Sequence, residues 1–264
     1  VKLVPYCLAY DGAWHVDLDS LRRAVTGRTR AVLSVAPNNP TGSYLKKAEL
    51  EAIAALGLPI VSDEVFASYP LREDPQRALT ALEATDAPLV FALGGLSKLA
   101  GLPQVKLAWM VVSGAHAHAE AALARLDVIA DAFLSVGSAV QHALPSLLES
   151  RAPVERAIRE RTRTNLETVR TATRASAASV LDVEGGWYVV LRVPRTQPEE
   201  AWALALLEED GVIVHPGHFF DFEDEAYLVV SLLTPEESFS EGVRRVVSRV
   251  ESDTAWRRPG SLPR

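Results

Sequence analysis

From residue 2 to residue 113 short apolar runs alternate with segments of helical period. Residues 2–5 read as a first strand, and residues 18–25 as a helix with Asp17 or Asp19 as its cap. A strand over 30–35 leads into "PNNPTG", and a helix is predicted over 46–56. The next strands are 59–62, ending at Asp63, then 88–93, ending at "GGLSK", then 105–113. A strand–helix rhythm of this kind predicts an α/β fold with a mostly parallel, helix-flanked sheet. Ligands of such sheets bind at the carboxyl ends of the strands.

Beyond Ala115 the pattern turns helical, with candidates at 115–131, 136–149 and 154–177. Arg156, Arg159, Arg161 and Arg163 of the last one read as a solvated face. Strands at 180–183, 187–193, 212–214 and 227–232 then interleave with helices at 198–209 and 235–251, a smaller C-terminal α+β domain. The expected organisation is therefore a large domain over 1–150, a connecting helix over 151–177, the small domain over 178–251 and a disordered tail over 252–264. No internal repeat is visible.

Composition narrows the function. The 264 residues are 48% hydrophobic, enough for a large core, and carry a net charge of −7. No dense Lys/Arg stripe occurs, so no nucleic-acid partner is expected. The lone Cys7 excludes an internal disulfide and fits a reducing, cytoplasmic setting. No apolar run reaches membrane-spanning length, and no membrane partner is expected.

Three predicted strand ends offer polar residues: Asn39, Asp63 and Lys98. Singly they read as a turn residue, a helix cap and a surface lysine. Gly94 and Gly95 argue against the last reading, since paired glycines let backbone approach a ligand. Together the three suit one chemistry. A lysine amine bonds to an aldehyde cofactor. A carboxylate keeps the nitrogen of a pyridine ring protonated, and an amide donates to the ring oxygen.

"NNPTG", "SDEVF" and "GLSK" with Lys106 eight residues on, followed by "EGGWYVVLRVP" and "DGVIVHPGHFF", resemble the class I/II pyridoxal-phosphate aminotransferases of fold type I. The resemblance covers nearly the whole chain. It implies that pyridoxal 5′-phosphate forms a Schiff base with Lys98, which also shuttles the proton. Asp63 would hold the ring nitrogen, Asn39 the ring oxygen, and Lys106 and Ser97 the phosphate. It implies amino transfer between an amino acid and a 2-oxo acid, and a homodimer.

Four departures from the family pattern stand out. Phe66 occupies the position of a tyrosine, and Gly95 that of a phosphate-binding Ser or Thr. Val229 occupies the position of the arginine that grips the substrate carboxylate, and Arg192 lies in a different block. Only 38 residues precede Asn39, so the chain is expected to lack the N-terminal third of the fold. A β-eliminating C–S lyase, a cofactor-sensing binding domain and an inactive fragment are the alternatives. His116 with His118, and His215 with His218, lack the further ligands a metal site needs. Trp187 and Tyr188 read as core aromatics.

Overall fold

The computed structural model describes residues 1–256 apart from Leu134, Glu223 and Glu225. The chain divides into two compact units. The first comprises Val1–Asn39, Ser43–Ala157 and Glu184–Gly186; the second takes Pro40–Gly42, Ile158–Val183 and the chain from Trp187 onward.

The first unit opens on a hairpin, β1 (Leu8–Tyr10) and β2 (Trp14–Val16), with Tyr10 opposite Trp14. The strand expected over 2–5 does not form, and those residues are exposed without regular structure. Pro5 lacks a ladder donor. The Asp11-Gly12 pair, with Gly12 at φ +112°, instead gives residues 8–10 a partner strand. Helix α1 (Leu18–Ala24) is capped by Asp17, whose carboxylate accepts from the amides of Asp19 and Ser20.

A four-stranded sheet then builds the unit. Its members are β3 (Val32–Val35), β4 (Ile60–Asp63), β5 (Leu89–Gly95) and β6 (Ala108–Gly114), in the order β3-β4-β5-β6. Helix α2 (Lys47–Ala54) joins β3 to β4, and the one-turn α3 (Leu96–Leu99) leaves β5 directly. The first three strands are parallel, with Val35, Asp63 and Leu93 in one register row. β6 runs antiparallel, placing Ala108 opposite Gly95. Helices α4 (His116–Ala132) and α5 (Ser138–Glu149) follow.

One face of this sheet buries Val32, Ile60 and Val90 against Leu21 of α1 and Leu50 and Ile53 of α2. The strands alternate, so Leu33, Val61, Phe91 and Met110 point to the other face. Leu33 is 55% and Met110 40% exposed there. Parallel sheets generally cover both faces; in this chain the second is open to solvent at its outer strands.

The second unit begins within α6 (Arg151–Thr173). It continues with β7 (Ser179–Val180), β8 (Tyr188–Arg192), α7 (Glu199–Glu208), β9 (His215–Pro216), β10 (Tyr227–Ser231) and α8 (Glu236–Trp256). The sheet order is β7-β8-β10-β9, antiparallel throughout. Val189, Leu228, Trp202, Val169 and Val250 are sealed in its core. Asn165 of α6 donates to the carbonyls of Leu232 and Thr234, fixing the helix to the end of β10. Arg156, Arg161 and Arg163 are exposed, and Arg159 is half-buried.

Several boundaries differ from expectation; the helix expected over 154–177, for example, spans Arg151–Thr173, and the strand expected over 105–113 spans Ala108–Gly114. The strand expected over 212–214 forms instead at His215–Pro216, where it pairs with Leu228 and Val229. The 180–183 strand contracts to Ser179–Val180. Helix α8 continues through Trp256, past the expected start of the tail. The rest of that tail, 257–264, lies outside the described residues. No helix among the described residues is long and apolar enough to cross a membrane.

Candidate active site

The register row Val35–Asp63–Leu93 marks the carboxyl edge of the parallel strands in the first unit. Asp63 is itself the last residue of β4. Asn39 follows the end of β3 through a cis Ala36–Pro37 peptide. Ser97 and Lys98 lie in α3, immediately past the end of β5. Lys106 precedes β6; because that strand is antiparallel, its start meets the same edge. The topology thus gathers all five expected residues at one rim.

Each is held by local structure. The Asn38 amide donates to the Ser43 carbonyl at 2.8 Å, closing the turn that carries Asn39. The Tyr44 hydroxyl donates to the Ala67 carbonyl at 3.0 Å, tying the exit of that turn to the segment after Asp63. Asp63 Oδ1 accepts from the Val65 amide at 3.1 Å. Leu96 is fully buried and anchors α3 to Ala100, Leu107 and the apolar side of α5 through Val140, Leu144 and Leu148. Lys98 is half-buried, its ammonium 5.5 Å from the centre of the Phe66 ring. Lys106 is exposed in the left-handed region at φ 57°, which few non-glycine residues adopt.

The glycine pair needs a different account from ligand approach. A Cβ on Gly94 would lie 2.4 Å from Trp109 Nε1 and 2.7 Å from its Cε2, and one on Gly95 would lie 3.2 Å from the Leu107 carbonyl. Gly94 makes room for an indole of the neighbouring strand. Gly94→Ala is therefore expected to cost about 2 kcal/mol through overpacking. A urea midpoint equal to that of the unsubstituted chain would show that the indole swings aside freely.

Two buried carboxylates, one in each unit, organise loops that the sequence pattern does not mark. Glu184 is 3% exposed and accepts from the Tyr44 amide at 2.9 Å, from Arg72 at 2.8 Å and from Lys46. Burial alone would raise its pKa. The hydrogen bonds from Lys46, the Tyr44 amide and Arg72 outweigh this and hold it below the ordinary glutamate value. The only sequence signal was a lone acid directly before "GGW".

In the second unit Glu199, also 3% exposed, accepts from the amides of His218 and Tyr227 and fixes the "HPGHFF" turn. A Cβ on Gly217 would lie 2.8 Å from its carboxylate and 2.9 Å from the Tyr227 Cβ, so a larger residue there would force one of them to shift. Val229 is fully buried in β10, opposite Val190 and His215. Arg192 is exposed, its guanidinium 5.7 Å from the Tyr227 ring centre. Trp187 is buried and Tyr188 half-buried. Among the described residues no three His, Cys, Asp or Glu side chains group to hold a metal.

The parallel sheet with a lysine on the helix after its third strand defines an α/β protein of the pyridoxal-phosphate transferase fold. More particularly, the chain belongs to the aminotransferase class I and II family, which it matches over residues 1–246. Members of that family depend on pyridoxal phosphate. Glutamate-pyruvate aminotransferase AlaA of Escherichia coli is 32% identical over 151 residues, 56% of this chain and 37% of the relative. Aspartate/prephenate aminotransferase of Thermus thermophilus is 30% identical over 243 residues, 87% of this chain and 58% of the relative. The solved alanine aminotransferase of Pyrococcus furiosus superposes with a TM-score of 0.85 at 21% identity, covering 95% of this chain and 65% of that one. The chain thus spans between about a third and two thirds of the length of these relatives.

Proposed function

We propose that the protein is a pyridoxal-phosphate-dependent aminotransferase that moves an amino group between an amino acid and a 2-oxo acid, acting in the cytoplasm as a homodimer. The observation that carries this reading is the shared rim: amine, carboxylate and amide leave three adjacent parallel strands at one edge. The residues fit the cofactor chemically. Asp63 accepts from the Val65 amide through Oδ1, and a carboxylate has further acceptor sites for a ring nitrogen. The pyridine ring, when bound, serves as the electron sink. Lys98 supplies the amine for attachment and carries the proton to and from the substrate carbon. Asp63 keeps the ring nitrogen protonated, Asn39 donates to the ring oxygen, and Ser97 and Lys106 bind phosphate. Lysine contributes there as a point charge without the bidentate fork of arginine.

The test is to titrate the chain with pyridoxal phosphate, reduce with borohydride and map the modified lysines by mass spectrometry. Stoichiometric modification at Lys98 is the expected result. Modification spread over surface lysines, with Lys98 spared, would overturn the reading. A binding domain without turnover is a second reading, favoured by the open sheet face through Leu33 and Met110. Amino transfer assayed on a panel of donors separates the two.

A further inference from the structure

Phe66 has no hydroxyl, but three residues on the chain carries another aromatic. Tyr69 is 1% exposed, and its hydroxyl donates to the backbone carbonyl of Lys98 at 2.6 Å. The other end of the residue is fixed as well. Its carbonyl accepts from the Gly186 amide at 3.0 Å, and the neighbouring Pro70 bridges to Gly185. A Cβ on Gly185 would lie 2.8 Å from that carbonyl, so the contact has no slack.

Lys98 stands in a helix of only four residues. So short a helix cannot sustain itself, and its terminal carbonyls lack intrahelical partners. Within the turn the Lys98 carbonyl accepts from the Ala100 amide and, at 3.3 Å, from Gly101. The phenol adds a short bond from a rigid, buried neighbour on a different segment.

We propose that Tyr69 is a positioning residue for Lys98: its hydroxyl fixes the α3 turn so that the lysine amine is presented at the carboxyl edge of the sheet. The inference rests on Lys98 being the attachment residue proposed above. It assigns to Tyr69, through the backbone, a hydroxyl role in a site where Phe66 supplies only a ring. Displacements near an ångström are enough to slow a reaction that depends on a positioned group.

The test uses the full chain with Tyr69→Phe, which removes the hydroxyl and keeps the ring, and Tyr69→Leu, which removes both. One arm needs no cofactor. Amide hydrogen exchange of Ala100, Gly101 and Leu102 should quicken about fivefold in Tyr69→Phe, the effect of one lost hydrogen bond, while β4 and β5 keep their protection. Unchanged exchange in α3 overturns the proposal whether or not pyridoxal phosphate binds. Equal loss across β4 and β5 marks general destabilisation and overturns it too.

In the second arm pyridoxal phosphate and borohydride modify lysines. Amine and aldehyde condense with loss of water, and hydride reduces the new carbon–nitrogen bond. The modification rate at Lys98 should fall about fivefold in Tyr69→Phe relative to Lys2 and Lys47 in the same sample. An unchanged ratio in Tyr69→Phe, with loss only in Tyr69→Leu, shows that bulk and not the hydroxyl matters, and overturns the proposal. A wild-type chain left unmodified at Lys98 sinks the aminotransferase reading instead, and the exchange arm then decides the positioning role alone.

Discussion

Lys98→Ala is expected to abolish borohydride-trapped pyridoxal phosphate and to lower any amino transfer by about 10³-fold or more. Two contributions vanish together. The nucleophilic amine is gone, and so is the group that moves the proton, itself worth about 10²–10⁴-fold. The substitution should leave the fold intact, because Lys98 is half-buried while neighbouring Leu96 carries the packing of α3. Urea unfolding close to wild type would establish this. Lys106→Ala provides the contrast: with its exposed charge proposed to serve only phosphate affinity, trapping at Lys98 should persist at higher cofactor concentration. Cofactor trapped stoichiometrically on a Lys98→Ala chain would place the attachment elsewhere.

The gathering of the candidate residues at one sheet edge was more legible in the sequence than parts of the fold. Asp63 ends a predicted strand and Asn39 and Lys98 closely follow one, and parallel pairing gathers strand ends without further information. Lys106 was harder, because its place depends on β6 reversing direction, which a run of apolar residues does not reveal. The first strand was misplaced because the apolar start of the chain outweighed the Asp11-Gly12 turn. Gly94 was assigned to ligand approach because the sequence does not show that Trp109 is its cross-strand neighbour. Glu184 and Tyr69 were invisible for a related reason. Their roles rest on contacts between segments more than 25 residues apart in sequence, Glu184 with Tyr44 and Tyr69 with Lys98, and neither periodicity nor local turn chemistry encodes such pairs.

Glu184 carries the second large effect, on stability and its dependence on pH. Its carboxylate is nearly sealed from water and receives Lys46, Arg72 and the Tyr44 amide, while Lys46 also pairs with Asp74 at 2.7 Å. Glu184→Ala removes one acceptor from three donors. The expected loss is about 3 kcal/mol, at the low end for breaking a buried pair, because Lys46 keeps Asp74 and Arg72 reaches solvent. Glu184→Gln retains an oxygen for the Tyr44 amide and should lose about 2 kcal/mol at neutral pH. The sign of the pH dependence follows from the depressed folded-state pKa. In the unfolded chain the carboxyl titrates near 4.5, and in the folded chain below that value. The unfolded chain therefore takes up the proton first as pH falls. The stabilisation is complete above the unfolded value and disappears as pH drops through the folded one. The difference in urea stability between wild type and Glu184→Gln should hence be constant from pH 7 to about 5.5 and shrink steadily below about 4.5. Comparing the two proteins cancels the carboxylates that share no partner with Glu184, leaving Asp74, which shares Lys46, as the one that can also contribute. A difference that stays level down to pH 3 would mean that the charge on Glu184 does not hold this cluster together, and that the packing of Gly185 against the Tyr44 ring does so instead.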